Sequence, residues 1–558
     1  MSSERSPQEK KSVPERGQPP VKHPKRSPIR AIGRGVSRTA LWTVGIILGL
    51  IVLLFIASFF VDEPMRKAME RSMNQKLSGY SVTLPKLHFQ LIGLSVTLRD
   101  LTIRQKAHPE PPVAVIPRLH ASLHWREILS GLLVSDFYFD HPRLHINLPQ
   151  LREEARDPMP LKEKGWQEAA LAIYPFQINL LRIGDGDIVY VDEDASRPIH
   201  ISQLQFRASN IRNIHSKDRA YPSPIHAEAV IFEKGKGVLD GNADFLAEPY
   251  AGFHVLYKVE KVPLDDLHPL LARMADMTLK GGTLASEGEV EYAPKAKFVE
   301  VKDISIAGLH LDYTHTAAAA PKESAAKKNV KEAAKKASNN PDMVLKLDKF
   351  ELVNSNLGLI NKTKDPAYRI FVSGADFRVT NLSNHAEDGL AHAKLTGKFM
   401  GSGPAVATAS FRPENKMADL SIDIAIENTD LTTMNDMLRA YGKFDVTRGE
   451  FAFYSQLRIK NNHIEGYVKP LLSNMKVYDP EQDREKSFFH KLYEMIVGGV
   501  AKLLESTKTS DVATQANISG EVGSASASVW QVLGKLFENA FVKAILPGFE
   551  RGLARHAK

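Results

Sequence analysis

The sequence predicts a mainly β protein: an elongated, curled antiparallel sheet shaped as a groove or taco, built from tandem repeats. One N-terminal transmembrane helix carries it and C-terminal amphipathic helices end it. Three observations predict this. Residues 39–61, TALWTVGIILGLIVLLFIASFFV, hold no charge. Apolar and polar residues then alternate through most of residues 80–480, the period of a strand with one apolar face. A stretch of that β-rich part also recurs further along the chain at a nearly constant shift.

The 558 residues carry 73 Lys plus Arg against 65 Asp plus Glu, a formal charge of +8. Residues 1–38 alone hold ten Lys/Arg and three Glu, so the basic balance belongs to a tail and not to a nucleic-acid-binding face. With its Pro, Ser, Lys and Arg the tail buries too little to order itself, and anionic headgroups are its expected neighbours. Residues 39–61 reach roughly 34 Å as a helix, enough for a bilayer core. The run is too long for a signal-peptide core and no A-x-A precedes Asp62, so an uncleaved anchor is expected. Six Lys/Arg lie in the twenty residues before the run and four in the twenty after it. That bias puts the N-terminus in the cytoplasm and the bulk outside it. Gly45 and Gly49 form a G-x-x-x-G able to seat a partner helix, although glycine is also simply tolerated in a span.

Pro64 opens a helical stretch with Met65, Met69, Met73 and Leu77 on one face, expected to pack on the segment after it. Leu119, Ala121, Leu123 and Trp125 then set the period of two. It returns in Phe253, Val255, Tyr257 and Val259, and in Leu420, Ile422, Ile424 and Ile426. Residues 263–292 overlie 430–459 at a shift of 167, with Leu264 on Leu431 and Gly282 on Gly449. FRASNI from Phe206 matches FRVTNL from Phe377 at a shift of 171. The domain reading is a tail (1–38), an anchor (39–61), an N-terminal β unit (62–174), a first repeat (175–313), a linker (314–342), a second repeat (343–480) and a helical C-terminal segment (481–558). Each repeat contains one helix, Leu264 to Met274 and Leu431 to Tyr441. That is too little to cover so many strands, so sheets cover each other, curl, or leave a trough. Residues 316–340 hold nine Ala and six Lys with no apolar period, which reads as a solvated linker. Beyond 480, Phe489, Leu492, Ile496, Val500 and Leu503 share a helical face. The last helix is amphipathic, with Lys535, Lys543, Arg551 and Arg555 on its polar side.

Chemistry is sparse. The absence of Cys excludes disulfides, Cys-ligated zinc, iron–sulfur clusters and thiol nucleophiles. DGDIVYVDEDAS, from Asp185, resembles a calcium loop but has Tyr190 where the turn needs Gly and Ser196 where a bidentate Glu should close it. Its counterparts in the second copy, Asn354, Asn356 and Asn361, keep turn propensity and discard the charge, which favours turn chemistry. His120 and His124, four apart on a strand, stand roughly 13 Å from each other, too far to share a metal. Nucleophile-elbow, zincin, P-loop and dinucleotide motifs are all missing, so no catalytic, metal or cofactor site is assigned.

The stretches MRKAMERSMNQKLSGYSVTLPKLHFQLIGLSVTLRDLTI and VAVIPRLHASLHWREILSGLLVSDFYFDHPRLHI resemble the start of the AsmA-like superfamily of bacterial envelope proteins. DLTTMNDMLRAYGKFDVTRGEFAFYSQLRIKNNHIEGYVKPLLSNMKVYD is similar to the branch known as a domain of unknown function. The resemblance covers nearly everything from residue 62 to the end and rests on Gly, Leu and Pro patterns. It implies an inner-membrane anchor, a periplasmic β-rich groove, and either handling of phospholipid between membranes or a role in outer-membrane assembly.

The expected function is therefore a non-enzymatic protein that binds or conducts phospholipid, the alternative being a structural or assembly factor of the outer membrane that carries no lipid. Its expected partners are the inner membrane, phospholipid, and a periplasmic or outer-membrane protein at the C-terminal end, with no cofactor and no nucleic acid. The candidate lipid-facing residues are Leu284, Val290 and Tyr292 in the first copy. In the second they are Leu420, Ile422, Ile424, Ile426, Phe451, Phe453, Leu457 and Ile459. Gly288 and Ser455 interrupt the apolar row at the same register, leaving room for a guest chain or for a large neighbour.

Overall fold

The computed structural model describes residues 38–124, 134–147, 177–191, 198–211, 221–267, 277–317, 336–477 and 508–521, with short breaks inside them, and Gln150. Contacts divide the chain at Phe59 and Phe60, and each side of that boundary is a unit.

The helix α1 (Arg38–Lys76) runs through Pro64, which lies inside it and does not open it. Among the described residues no helix is long and apolar enough to cross a membrane. The side chains of residues 50–60 are not among those described.

From Tyr80 on, the described strands form one mixed sheet. β1 (Tyr80–Thr83) and β2 (Lys86–Gln90) both pair with β3 (Ser95–Gln105), followed by β4 (Ala114–Leu123). β4 is flanked by β5 (Val134–Asp140) and β6 (Arg143–Asn147), which lie end to end. Both run parallel to one long strand, β7 (Gln177–Val191). The sheet then meanders antiparallel through β8 (Ile199–Ser209), β9 (Ser223–Ile231), β10 (Gly235–Asp244) and β11 (Gly252–Pro263). β13 (Thr283–Ala293) and β14 (Ala296–Ala307) come next, while β12 (Met277–Lys280) pairs with β15 (His310–His315).

β14 and β15 again lie end to end and parallel to one long strand, β16 (Met343–Asn361). A second antiparallel meander runs through β17 (Tyr368–Ser383), β18 (Ala391–Phe399), β19 (Gly403–Phe411), β20 (Leu420–Asp430), β21 (Val446–Lys460) and β22 (His463–Val477). β24 (Gln515–Glu521) pairs with β22 and β23 (Lys508–Val512) with β24.

Two expectations change. The sheet is mixed, not wholly antiparallel, because two strands enter after long connections that leave direction free, whereas tight turns enforce reversal. Two strands, β23 and β24, stand inside the segment 481–558 expected to be helical; the amphipathic stretches themselves lie outside the described residues. Only one sheet is present among the described residues, so its apolar face is not covered by a second. The helix expected over 431–441 is present as a 3-10 turn (Leu431–Met434) leading into α2 (Asn435–Gly442), capped where Asp430 accepts from Thr432 N. Of its counterpart, the turn Asp265–Leu267 is described and the remainder is not.

The acidic loop resolves as backbone chemistry. Asp185 takes φ 53° in β7 and Asn354 takes φ 46° in β16, a left-handed conformation that Asn and Asp tolerate best. At the first, His141 N donates to Gly184 O at 2.9 Å and Asp187 N to Pro142 O at 2.8 Å. At the second, Gly308 N donates to Val353 O at 2.9 Å and Asn356 N to Leu309 O at 2.7 Å. Each left-handed residue marks the bulge where one collinear strand ends and the next begins. Asp192 lies outside the described residues.

Candidate functional site: an apolar sheet face

The stripe Met65, Met69, Met73 and Leu77 of α1 packs on the start of the sheet, against Leu87, Leu98, Leu119 and Phe137. Met73 and Leu77 are 5% and 4% exposed; burying such side chains stabilises by roughly 1.5–3 kcal/mol each. Polar side chains of the same helix close the open edge of β1 and β2. Asn74 Nδ2 donates to Val82 O at 2.7 Å and its Oδ1 accepts from Val82 N at 2.8 Å. Arg66 donates to Leu84 O, and Asp62 accepts from Phe89 N. An unpaired strand edge invites another chain, and here three side chains of α1 satisfy it.

From under that helix an apolar row crosses the sheet. Leu87, Leu98 and Leu119 stand opposite one another in β2, β3 and β4, all buried. The row continues through Phe139, Ile183, Phe206, Ala227 and Leu239 in β5, β7, β8, β9 and β10. It then passes Tyr257, Gly288, Val301, Leu347 and Leu382 in β11, β13, β14, β16 and β17. A second row on the same face starts at Ser286 and Ile304 and runs through Phe350, Val379, Ala393 and Ala409. Ile422, Leu457 and Gly466 carry it to Ile518 in β24. At about 4.8 Å per strand the apolar face is on the order of 85 Å wide.

The opposite face is polar in matching register. His88, Thr97, His120, Tyr138, Arg182 and Arg207 succeed one another across β2 to β8. His120 therefore faces outward, its Nδ1 3.0 Å from Thr97 Oγ1, and His124 sits 2.9 Å from Asp136. Among the described residues no three His, Asp or Glu side chains gather to hold a metal.

Burial varies along the apolar face. It is closed by α1 at β2–β5, and at the strand ends of β17–β21 by α2 and its turn, where Leu431, Met434 and Leu438 meet Ile370, Ile426 and Phe451. Leu264, Leu279, Leu309 and Leu352 form a third cluster. Between them Ile183, Phe206, Leu239, Val301, Leu347 and Leu382 are only half-buried and belong to none of the three.

The candidates read from the sequence divide accordingly. Leu420, Ile426, Phe451, Leu457 and Ile459 are buried, at 2–8% exposure. Leu284, Val290, Ile422, Ile424 and Phe453 are half-buried and Tyr292 is 37% exposed. Gly288 and Ser455 make room for neighbours: a Cβ on Gly288 would stand 2.4 Å from Glu300 O and 2.9 Å from the Tyr257 ring. Ser455, 4% exposed, donates to Tyr467 O. Nothing lies within 4 Å of a Cβ built on Gly45 or Gly49. Sequence reasoning missed the half-buried rows of β7–β10 and β16–β17, because alternation within one strand does not reveal which strand lies beside it.

The chain matches no family model and no curated protein.

Proposed function

We propose that this is a membrane-anchored, non-enzymatic protein that holds phospholipid acyl chains along the apolar face of its sheet and contributes to lipid homeostasis of a bacterial envelope. In this reading residues 39–61 span the inner membrane, residues 1–38 are cytoplasmic and the sheet is periplasmic. A periplasmic or outer-membrane protein meets the C-terminal end.

The observation that carries the reading is the continuity of the apolar rows where no described cluster covers them. A face of this width left half-buried in water is costly, at roughly 25 cal/mol per Å² of apolar surface, and acyl chains would remove that cost. The resemblance to AsmA-like proteins and the uncharged 23-residue run support the placement. Tandem duplication belongs to the same proposal. Its support is the repeated joint at Asp185 and Asn354, each a long strand receiving two collinear parallel strands through the same hydrogen bonds.

The test is mass spectrometry of lipid retained by the full chain after detergent exchange, for the natural sequence and for Leu347→Glu. Phospholipid is expected on the natural chain. The variant is expected to stay folded and lose much of it, since a carboxylate on a half-buried row reaches water but repels acyl chains. A lipid-free natural chain would favour the scaffold reading. Protease added outside spheroplasts should digest the sheet and spare the tail; protection of the sheet would overturn the topology.

A further inference from the structure

The polar face is not uniform. Around β14, β16 and β17 its cations are matched: Lys346 pairs with Glu300 and Asp348, Lys349 with Asp303 and Glu351, and Arg378 with Glu351. Across β2–β8 cations face cations. Lys86 stands opposite Arg99 and Arg99 opposite Arg118, while Arg182 stands opposite Arg207. All five are exposed, and among the described residues none of them has a carboxylate partner. The carboxylate opposite Arg118, Asp140, is engaged by His141 Nδ1 at 2.8 Å and by the Tyr138 hydroxyl at 3.4 Å. Asp100, beside Arg99, is the nearby exposed acid in β3. Like charges directly opposite one another in a sheet are destabilising, so this arrangement is relieved by a counter-anion.

The position of the patch identifies the anion. Asp62, the first charged residue after the uncharged run, accepts from Phe89 N at 2.8 Å and meets His88 Nδ1 at 3.0 Å. The end of β2, two residues from Lys86, therefore lies beside the place where the chain leaves residues 39–61. We propose that Lys86, Arg99, Arg118, Arg182 and Arg207 form a docking face for the phosphates of anionic phospholipid headgroups in the bilayer that anchors α1. This rests on the proposed membrane anchor and is independent of whether the apolar face carries lipid. Arginine suits the task because its planar fork binds phosphate oxygens in pairs. Five cations along six strands are spaced to meet several headgroups at once.

The test uses the full chain in nanodiscs of phosphatidylcholine alone or mixed with phosphatidylglycerol, with insertion measured first. An arginine-selective dicarbonyl reagent is then applied and each site read by peptide mass spectrometry. Arg99, Arg118, Arg182 and Arg207 are expected to react several-fold more slowly with phosphatidylglycerol present, while Arg448 on β21 is unchanged. The protection should vanish in about 1 M salt, where the Debye length is ~3 Å. Arg182→Gln combined with Arg207→Gln should reduce the protection at Arg118. Equal reactivity in the two lipids, in chains that do insert, would overturn the docking face alone and leave an acidic protein as its partner. Equal protection by inorganic phosphate in phosphatidylcholine discs would overturn it in favour of a free anion. A chain that inserts in neither would overturn the anchor and the docking face together.

Discussion

Gly358 is confined to hydrogen by an ion pair. A Cβ there would stand 1.9 Å from Asp312 Oδ1 and 2.8 Å from Arg369 Nε. Arg369 Nε donates to that oxygen at 2.9 Å, and the guanidinium lies 4.4 Å from the centre of the Phe371 ring. The pair thus crosses from β15 to β17 over β16, with Asp312 only 8% exposed. Gly358→Ala is expected to part the pair and cost about 2–4 kcal/mol, less than a fully buried pair because Arg369 keeps partial access to water. A lowered urea midpoint would show it; an unchanged midpoint would mean the pair contributes nothing.

Two histidines on the polar face should titrate on opposite sides of the ordinary value. A hydrogen bond to Asp240, 2.5 Å from His226 Nδ1, raises the pKa of His226, whereas burial first and Arg118 second lower that of His120. The sign comes from linkage: the stabilisation from charged His226 is full below its unfolded pKa and fades as pH rises through the raised value. It is small, because that side chain is 44% exposed. Imidazole proton shifts followed by NMR would separate the two, and coincident titration would remove both assignments.

Among the elements, the connections are the informative ones. Residues 316–340 read as a passive linker between two bodies, yet the strands on either side, β15 and β16, lie next to each other and run parallel. A parallel neighbour needs a crossover of a dozen or more residues, because the chain must return to the other end of the sheet. Removing about three residues from 318–335 should therefore be tolerated, changing loop-closure entropy by less than ~1 kcal/mol. Removing nearly all of them leaves fewer than about a dozen and should destroy the β15–β16 pairing. Hydrogen exchange at Leu311, Tyr313 and Leu359 reads the difference, and full protection in the longer deletion would refute the crossover.

The same contrast explains what the sequence could disclose. Met65, Met69, Met73 and Leu77 disclosed their packing because a period of four is a local property. Leu119 and Ala121 disclosed their face for the same reason. Asn354, matched against Asp185, disclosed a left-handed backbone position through residue type alone, but each stands at a bulge inside a long strand and not in the expected turn. The direction of β16 and the pairing of Ile518 with Gly466 depend on neighbours distant in sequence, which no local period encodes. The candidate site was half legible. The sequence identified the correct face of β13, β20 and β21 but not that Leu457 and Ile459 are closed off while Ile422 and Ile424 are not.

At the scale of the whole sheet, the open question is whether the apolar face is one path or several separate pockets. The row through Tyr257 and Gly288 joins the rows of β7–β10 to those of β16–β20, and it is narrowed there by the Tyr257 ring lying against Gly288. If lipid moves along the face, that point is a bottleneck. Leu239→Arg together with Val301→Arg would place a charge on either side of it, at positions already half-buried and so able to hydrate their new side chains. Photo-crosslinking residues at Phe206 and at Val379 would report on the two halves, with labelled phospholipid supplied from the membrane in which the full chain is embedded. A single path predicts that the double variant still crosslinks at Phe206 and loses crosslinking at Val379 by tenfold or more, a penalty of about 1.4 kcal/mol. Separate pockets predict that both sites label as before. Loss at both sites would indicate that the variant had unfolded, which circular dichroism of the same samples would reveal independently.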